Sequence, residues 1–382
     1  MLENNKPCKI AIDLTWIRHK KVGGTESFAR NLIKGFIALG SGDFIYYLLV
    51  SMDNAASFTE YEDADNIEII LCNVYSSNKI KRTIWQNTKM HKLLKQNGIR
   101  ICYEPIYSMP FIRNKDIHFV ATIHDLQALH YPEYFTRFRV KFMIANWKNT
   151  LKKADYVITT SDYVKNDILS NFKATKDKIK RIYIPVRKAK KIEENKSTEI
   201  LNKFGIEKDK FYFCLTSLLP HKNLETMLEM ISRLMESNSK ALYPIVISGV
   251  GGSGYDNLKE KIASMDIEQY VKITGFISDK ERDCLYQNCR AFLFPSIFEG
   301  FGMPPVEALI NGAVVITTKS TSIPEITSGY AEYVDDAKSA DDWIRKLEHL
   351  SKSIEQSNKR LLESKYDLKL LASEYERIFE KI

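Results

Sequence analysis

Phe298-Glu299-Gly300-Phe301-Gly302-Met303-Pro304-Pro305-Val306-Glu307-Ala308-Leu309 is flanked by two short β-rich runs, AFLFPS (291–296) and VVITTK (314–319). Its second half, 304–311, has the pattern of a helix. Strand, loop, helix, strand in so short a span is the unit of a parallel sheet. Gly300 and Gly302 let the backbone approach a ligand closely. Pro304 and Pro305 suit a helix start, and a helix N-terminus is expected to offer free N–H groups to a phosphate. Glu299 lies in the loop and Glu307 about one turn inside the helix. The spacing of two glutamates alone favours a bland reading, Glu307 as a helix-start acid and Glu299 as a solvated loop residue. The Gly, Phe, Gly and Pro pattern around them points instead to a binding site, with one carboxylate for each end of an extended ligand.

The same alternation runs outward in both directions. Upstream, the strand runs are 9–14, 44–51, 67–73, 101–105, 118–125, 156–161 and 178–185. Helices are expected over 25–39, 79–96, 133–153 and 162–171. Residues 186–208 are polar and charged, and an interdomain boundary is placed near them. The pattern then restarts with strands 211–217, 243–249, 271–275, 291–296 and 314–319. Helices are expected over 223–237, 255–264, 279–288 and 304–311, with two or three more in 339–382. The fold class is therefore α/β, with two Rossmann-like, doubly wound domains. Ligands of such sheets bind outside the strand C-termini, so a cleft between the two is the expected site.

Chemistry-bearing residues sit at those strand ends. Gly23 and Gly24 open the first helix, as a tight turn and a possible anion site. Glu26 follows as an acid favourable to a helix start. His124-Asp125 ends a strand, where both side chains reach the ligand crevice. Lys222 follows strand 211–217; a single loop lysine is normally solvated. Gly249-Val250-Gly251-Gly252 and Gly275-Phe276 each follow a further strand.

The run FEGFGMPPVEALINGAVVITTKSTSIPEI (298–326) resembles the donor-site signature of family 4 glycosyltransferases, which have a GT-B fold. Glu299 and Glu307 match its paired-glutamate motif. Gly23-Gly24-Thr25-Glu26, His124-Asp125, Pro220-His221-Lys222-Asn223 and Ser322-Ile323-Pro324-Glu325 extend the resemblance over nearly the whole chain. Among family members it is most similar to bacterial mannosyltransferases of O-antigen, capsule and exopolysaccharide synthesis. The resemblance implies a retaining transfer of a hexose, with GDP-mannose as the leading donor, to a hydroxyl of a glycan or lipid-linked saccharide. It implies that residues 1–184 shape acceptor binding, that 185–360 bind the nucleotide-sugar donor, and that helix 361–382 returns to the first domain. His124 is implied to contact the sugar, positioning an oxyanion or hydroxyl, and Asp125 to orient it. Lys222 is implied to contact the diphosphate, Glu299 the sugar hydroxyls and Glu307 the ribose. Gly23, Gly24, Ser217, Gly249, Phe276, Gly300, Phe301 and Gly302 complete the donor set. His221 stands where many members carry an arginine; the arginine that some members carry earlier in this segment has no match at Thr216 and Ser217, where hydrogen bonds from Ser217 are the expected substitute. A GT-B sugar-nucleotide epimerase, a glycoside phosphorylase and a non-catalytic sugar-nucleotide-binding scaffold are the competing readings.

Composition bounds these expectations. The chain has 382 residues, 44% hydrophobic and 27% charged, which excludes wholesale disorder, collagen-like repeats and a disulfide miniprotein. The net charge is +8, with 28 basic and 18 acidic residues in 1–184 against 28 and 30 in the rest. A basic first half suits an anionic lipid surface or a lipid-diphosphate acceptor. Its two basic aromatic stretches, 79–95 and 134–153, read first as core faces. Nucleic-acid binding is not expected, since no such module is present. Six cysteines with no CxxC pair suggest reduced core residues. No signal-peptide-like or membrane-spanning run occurs, so a cytoplasmic enzyme, peripheral on the inner face of the membrane, is expected. Asp63-Ala64-Asp65 matches a DxD metal motif but sits in an acidic loop far from the other motifs. No obligatory metal or other cofactor is expected.

Overall fold

The computed structural model describes residues 7–19, 23–40, 42–188, 190–252, 254–350 and 355–382. Met1–Lys6 of the N-terminal stretch and residues 351–354 of the C-terminal stretch lie outside them. The chain forms two compact units. The first runs to Val186 and takes back Tyr366–Ile382; the second is Arg187–Lys365.

The first unit holds a seven-stranded, all-parallel sheet. Its strands are β1 (Cys8–Asp13), β2 (Phe44–Ser51), β3 (Ile67–Cys72), β4 (Ile101–Glu104), β5 (His118–Ile123), β6 (Tyr156–Thr159) and β7 (Ile179–Arg181). The spatial order is β3-β2-β1-β4-β5-β6-β7. Strands such as FIYYLLVS are apolar almost throughout because helices cover both faces of a parallel sheet. The order reverses direction between β1 and β4, which pair with Ile12 opposite Tyr103. A crevice opens at such a switch point, outside the strand C-termini.

The C-terminal helix Leu368–Phe379 belongs to this unit. It packs on the helix Gly24–Leu39, and a Cβ on Gly35 would run into the Leu368 carbonyl oxygen and lie 2.9 Å from Ala372 Cβ. The Tyr46 hydroxyl donates to Glu376 at 2.6 Å, and the Phe36 and Tyr46 rings stack at 4.2 Å. The units divide later than the sequence placed the boundaries. Val186 N–H donates to the Tyr366 carbonyl at 2.9 Å, and Tyr183 meets the Tyr366 ring edge-on at 5.5 Å.

The second unit holds a six-stranded parallel sheet of β8 (Tyr212–Leu215), β9 (Ile245–Ser248), β10 (Val271–Gly275), β11 (Ala291–Phe294), β12 (Val315–Thr318) and β13 (Glu332–Val334). Its order is β10-β9-β8-β11-β12-β13, so its switch point lies between β8 and β11. Strand β13 is three residues of mixed polarity and left no run in the sequence.

Several local expectations are corrected. The polar stretch near which the sequence places the interdomain boundary contains the helix Glu194–Phe204, which buries Ser197 and Leu201 and stops at the left-handed Gly205. The single basic helix expected over 79–96 is two, Lys79–Thr88 and Met90–Gln96, broken at Lys89. The helix expected from 133 starts at Arg137, where the Thr136 hydroxyl caps it by accepting from Arg139 N–H. All six cysteines are free, five of them buried. Asp63 and Asp65 are exposed in a turn. Among the described residues no group of three or more His, Cys, Asp or Glu could hold a metal ion. None of the described helices is long and apolar enough to cross a membrane.

Candidate active site

In the second unit the loops after β8 and β11 flank the switch point. The chain leaves β8 through Thr216 and Ser217 into a tight turn, Pro220–Lys222. It leaves β11 into Ser296–Gly302. These loops are tied together by backbone. Ile297 N–H donates to the His221 carbonyl at 2.9 Å, and the Ser296 hydroxyl donates to the His221 and Phe298 carbonyls at 3.3 and 3.2 Å. The segment after β12 fixes the other side. Glu299 N–H donates to the Thr321 hydroxyl at 3.0 Å. The Ser322 hydroxyl reaches the Glu299 and Phe301 carbonyls at 3.0 and 2.9 Å.

This framework brings Lys222 Nζ to 2.6 Å from Glu299 Oε1. Both side chains are largely shielded, at 20% and 13% exposure. A diphosphate contact and a sugar contact, read separately from the sequence, form one ion pair. The ammonium also lies 5.9 Å from the centre of the Phe294 ring. His221 is buried beside it, and burial, with the Lys222 charge, lowers its pKa to about 4 against the opposing pull of Glu299. It is neutral at physiological pH, so it adds no charge to a phosphate site.

The helix Met303–Ile310 starts at the left-handed Gly302. The free N–H groups expected at this start are limited by the two prolines. Pro304 and Pro305 have no N–H, so among its first four residues only Met303 and Val306 offer one. Gly300 and Phe301 are buried in the loop. Glu307 is buried too. It accepts from the Tyr286 hydroxyl at 3.3 Å and pairs with Arg282 Nε at 3.3 Å. A helix-start acid free in solvent is thereby ruled out. Arg282 and Tyr286, placed by the helix Asp279–Asn288, carried no sequence signal of their own.

The ends of β8, β9 and β10 form the adjoining edge. Thr216 N–H donates to the Ser248 carbonyl at 3.0 Å and Gly249 N–H to the Gly275 carbonyl at 2.8 Å. Gly249 has φ +85°, and a Cβ there would stand 2.6 Å from the Thr216 carbonyl oxygen, so only glycine fits. Ser217 lies half-buried on this edge, its carbonyl accepting from the Thr216 hydroxyl at 3.3 Å. Phe276 is exposed beside Gly251, a flat apolar face at the C-terminal edge of the sheet.

In the first unit, Gly23 is the N-cap of the helix Gly24–Leu39 with φ +70°, and its carbonyl accepts from the N–H of Glu26 and Ser27. Glu26 is buried and accepts from Arg30 Nε at 2.9 Å. His124 follows β5. Its Nε2 lies 2.8 Å from the Pro105 carbonyl, which can only accept, so Nε2 carries the proton. Burial lowers its pKa to about 4, partly offset by that carbonyl. The ring is neutral, leaving Nδ1 as an acceptor. Such a ring can accept a hydrogen bond from a hydroxyl at Nδ1 but has no N–H free to donate to an oxyanion. For His124, the expected hydroxyl positioning fits this geometry and the expected oxyanion positioning does not. Asp125 accepts from Gln127 N–H at 2.9 Å, a local capping contact.

Acid stability follows from the two histidines. Each has a folded pKa near 4 against an ordinary 6.5, so between those values the unfolded chain binds more protons. Stability rises with pH there. We expect the melting temperature to fall as pH drops from 6.5 to 4, and His124→Asn or His221→Asn to flatten that slope. An unaltered slope in both variants would contradict the neutral assignments.

The sequence reading also missed a cluster at the switch point of the first sheet. Asp13 and Glu104 end the neighbouring strands β1 and β4 and are completely buried. Asp13 accepts from Thr15 N–H and hydroxyl at 2.9 and 2.6 Å and from Gln86 at 2.6 Å. An acid closing an apolar strand run, as in KIAID and ICYE, was the available signal.

Comparison with known proteins agrees with this architecture. The Glycosyltransferase Family 4 model matches residues 22–189, and the Glycosyl transferases group 1 model matches 196–366. O-antigen chain mannosyltransferase B of Escherichia coli is 28% identical over 229 residues. That match spans 58% of this chain and 58% of the relative, less than two thirds of its length. O-antigen chain mannosyltransferase RfbU of Salmonella typhimurium is 26% identical over 306 residues, 78% of this chain and 80% of the relative. Among solved structures, Anabaena Alr3699/HepE in complex with UDP and glucose superposes with a TM-score of 0.71 at 14% identity, covering 98% of this chain and all of that one. At that identity the likeness concerns fold alone. Two parallel-sheet α/β units, each covered by its own family model, make this chain a GT-B member of the family 4, group 1 glycosyltransferases.

Proposed function

We propose that this glycosyltransferase moves mannose from GDP-mannose, with retention of configuration, to a hydroxyl of a glycan or lipid-linked saccharide during synthesis of a cell-surface polysaccharide. The observation that carries the proposal is the Lys222–Glu299 pair at the switch point of the second sheet. The identity of the sugar draws on the two O-antigen mannosyltransferase relatives.

The pair suits the charge changes of the reaction. The bond from the anomeric carbon to the diphosphate oxygen breaks as the acceptor hydroxyl oxygen forms its bond to the same carbon. The acceptor proton leaves with the diphosphate. Negative charge grows on the leaving group and positive charge on the sugar ring. Lys222 stabilises the first, in a shielded site where a fixed cation acts more strongly than in water. Glu299 accepts hydrogen bonds from sugar hydroxyls and lies on the side of the growing positive charge. Glu307 holds the ribose, oriented by Arg282 and Tyr286. His124 Nδ1 accepts from a hydroxyl. No metal is required for this charge balance. Peripheral attachment to the inner face of the cytoplasmic membrane belongs to the same reading. Its support is the basic first unit, where the helices Lys79–Thr88 and Arg137–Lys153 contain no acidic residue.

The test is incubation of the purified protein with UDP-, GDP- and dTDP-sugars, with and without saccharide acceptors and EDTA, read by thermal shift and product NMR. A melting shift selective for GDP-mannose, unaffected by EDTA, with an α-linked product from the α-donor, is the expected result. Conversion of the donor without acceptor would replace the proposal by an epimerase. Binding without turnover on any acceptor would replace it by a scaffold.

A further inference from the structure

Two helices of the first unit keep large apolar side chains in water. The apolar residues of 79–95 and 134–153, read from the sequence as core faces, divide between inside and outside. Trp85 of the helix Lys79–Thr88 and Met143 and Trp147 of the helix Arg137–Lys153 enter one buried cluster, so both helices cover the same side of the sheet. Ile80 and Ile84 on the first helix, and Phe138 and Phe142 on the second, stay outside it, with Ile80 75% and Phe138 79% exposed. Each pair is four residues apart, so each forms a ridge along one helix face.

A loop joins the two ridges. Asn87 lies seven residues beyond Ile80 and so on the same helix face. Its side-chain oxygen accepts from Ile112 N–H at 2.9 Å, and His91 Nε2 lies 2.6 Å from the Ile112 carbonyl. Asn149 lies seven residues beyond Phe142 and donates to the Met109 and Pro110 carbonyls at 3.3 and 3.2 Å. The Lys153 ammonium donates to the Phe111 carbonyl. The loop is thus pinned to both helices, and it presents Phe111 and Ile112 exposed between them.

The charges on these helices have one sign. Neither contains an acidic residue, and Lys79, Lys81, Arg137, Arg139 and Lys141 are exposed beside the ridges. A joined apolar surface of this kind marks an interaction site. Lysine is depleted in protein–protein interfaces. An anionic bilayer instead takes apolar side chains below its headgroups and lysines and arginines at their level.

We propose that Ile80, Ile84, Phe111, Ile112, Phe138 and Phe142 insert into an anionic lipid bilayer, with the flanking cations held at its headgroups. This deepens the attachment proposed above, which rests on charge alone. That the bilayer is the cytoplasmic membrane rests on that reading; the insertion itself does not.

The test is co-sedimentation of the full chain with vesicles of mixed phosphatidylglycerol and phosphatidylcholine, and with vesicles of phosphatidylcholine alone. Binding is expected to the anionic vesicles only. Phe138→Ser/Phe142→Ser and Ile80→Ser/Ile84→Ser change exposed side chains and keep every charge, with melting curves as control. Each double variant should bind at least tenfold more weakly. Lys79→Gln/Arg139→Gln should also weaken binding, and added salt should do the same to the wild type. Insertion has its own signature. The four native tryptophans are buried, so Phe138→Trp adds an exposed indole, whose emission should shift to the blue with anionic vesicles. No vesicle binding by the wild type, or wild-type binding in both apolar double variants, would overturn the proposal; the latter would leave attachment by charge alone. Self-association of the wild type, lost in those variants and without a blue shift on vesicles, would overturn it in favour of a second copy of the chain on this face. Transfer to a water-soluble saccharide acceptor should persist in both apolar double variants. Failure of transfer with every sugar donor would defeat the transferase reading and leave the vesicle result unchanged.

Discussion

Glu299→Ala is expected to cut the transfer rate by about 100- to 1,000-fold, roughly 2.7–4 kcal/mol of transition-state stabilisation. Binding of GDP alone should be unchanged or tighter. The split follows from the ion pair. In the native site Glu299 lies 2.6 Å from the Lys222 ammonium and offsets part of its charge. Removing the carboxylate frees that ammonium for the diphosphate, so the leaving group binds no worse. What is lost, on the proposed function, is the acceptor of sugar hydroxyl hydrogen bonds and the negative charge beside a sugar becoming positive. Lys222→Met should behave in the opposite way, weakening GDP binding together with turnover and leaving Glu299 unpaired. Single-turnover kinetics and GDP calorimetry on both variants decide it. Turnover of Glu299→Ala within threefold of wild type, or GDP binding that falls in parallel with it, would remove Glu299 from the reaction.

The sheets were legible because parallel strands are buried on both faces and read as unbroken apolar runs. The site positions were legible because polar and glycine residues interrupt those runs at strand ends. Pairings were not. Lys222 and Glu299 are 77 positions apart in the chain, and only the β8–β11 neighbourhood makes them partners. Glu307 was recognised by its place in a motif, but Arg282 and Tyr286 sit in the helix DKERDCLYQN, whose polarity looks like an ordinary surface. Polarity misled again at Glu194–Phe204, where a helix with two buried positions was hidden in a charged stretch. The proline limit on N–H donors at 303–306 was present in the sequence and required only counting. The state of His124 was not, because the proton on Nε2 is set by a carbonyl 19 residues away.

Gly35→Ala is expected to lower the stability of the first unit by about 2 kcal/mol, although a helix interior ordinarily favours alanine over glycine by about 1 kcal/mol. Contact with the returning helix outweighs that preference. A Cβ on Gly35 would press into the Leu368 carbonyl oxygen and stand 2.9 Å from Ala372 Cβ. The first obstacle is backbone and cannot rotate away. The helix Leu368–Phe379 must shift, and its buried anchors shift with it: Tyr375, Phe379 and the Glu376 carboxylate that holds the Tyr46 hydroxyl. Overpacking costs of this kind run to about 3 kcal/mol, enough to reverse the propensity gain. For a unit of this size the loss corresponds to a Tm lower by roughly 4–8 °C. Hydrogen exchange should quicken selectively in Leu368–Phe379. Ala372→Gly in the same background removes one of the two obstructions and should recover part of the loss, a coupling that independent sites do not show. A raised Tm in Gly35→Ala would mean that the contact yields for less than the propensity gain, and the close approach at Gly35 would then not be what seats the C-terminal helix.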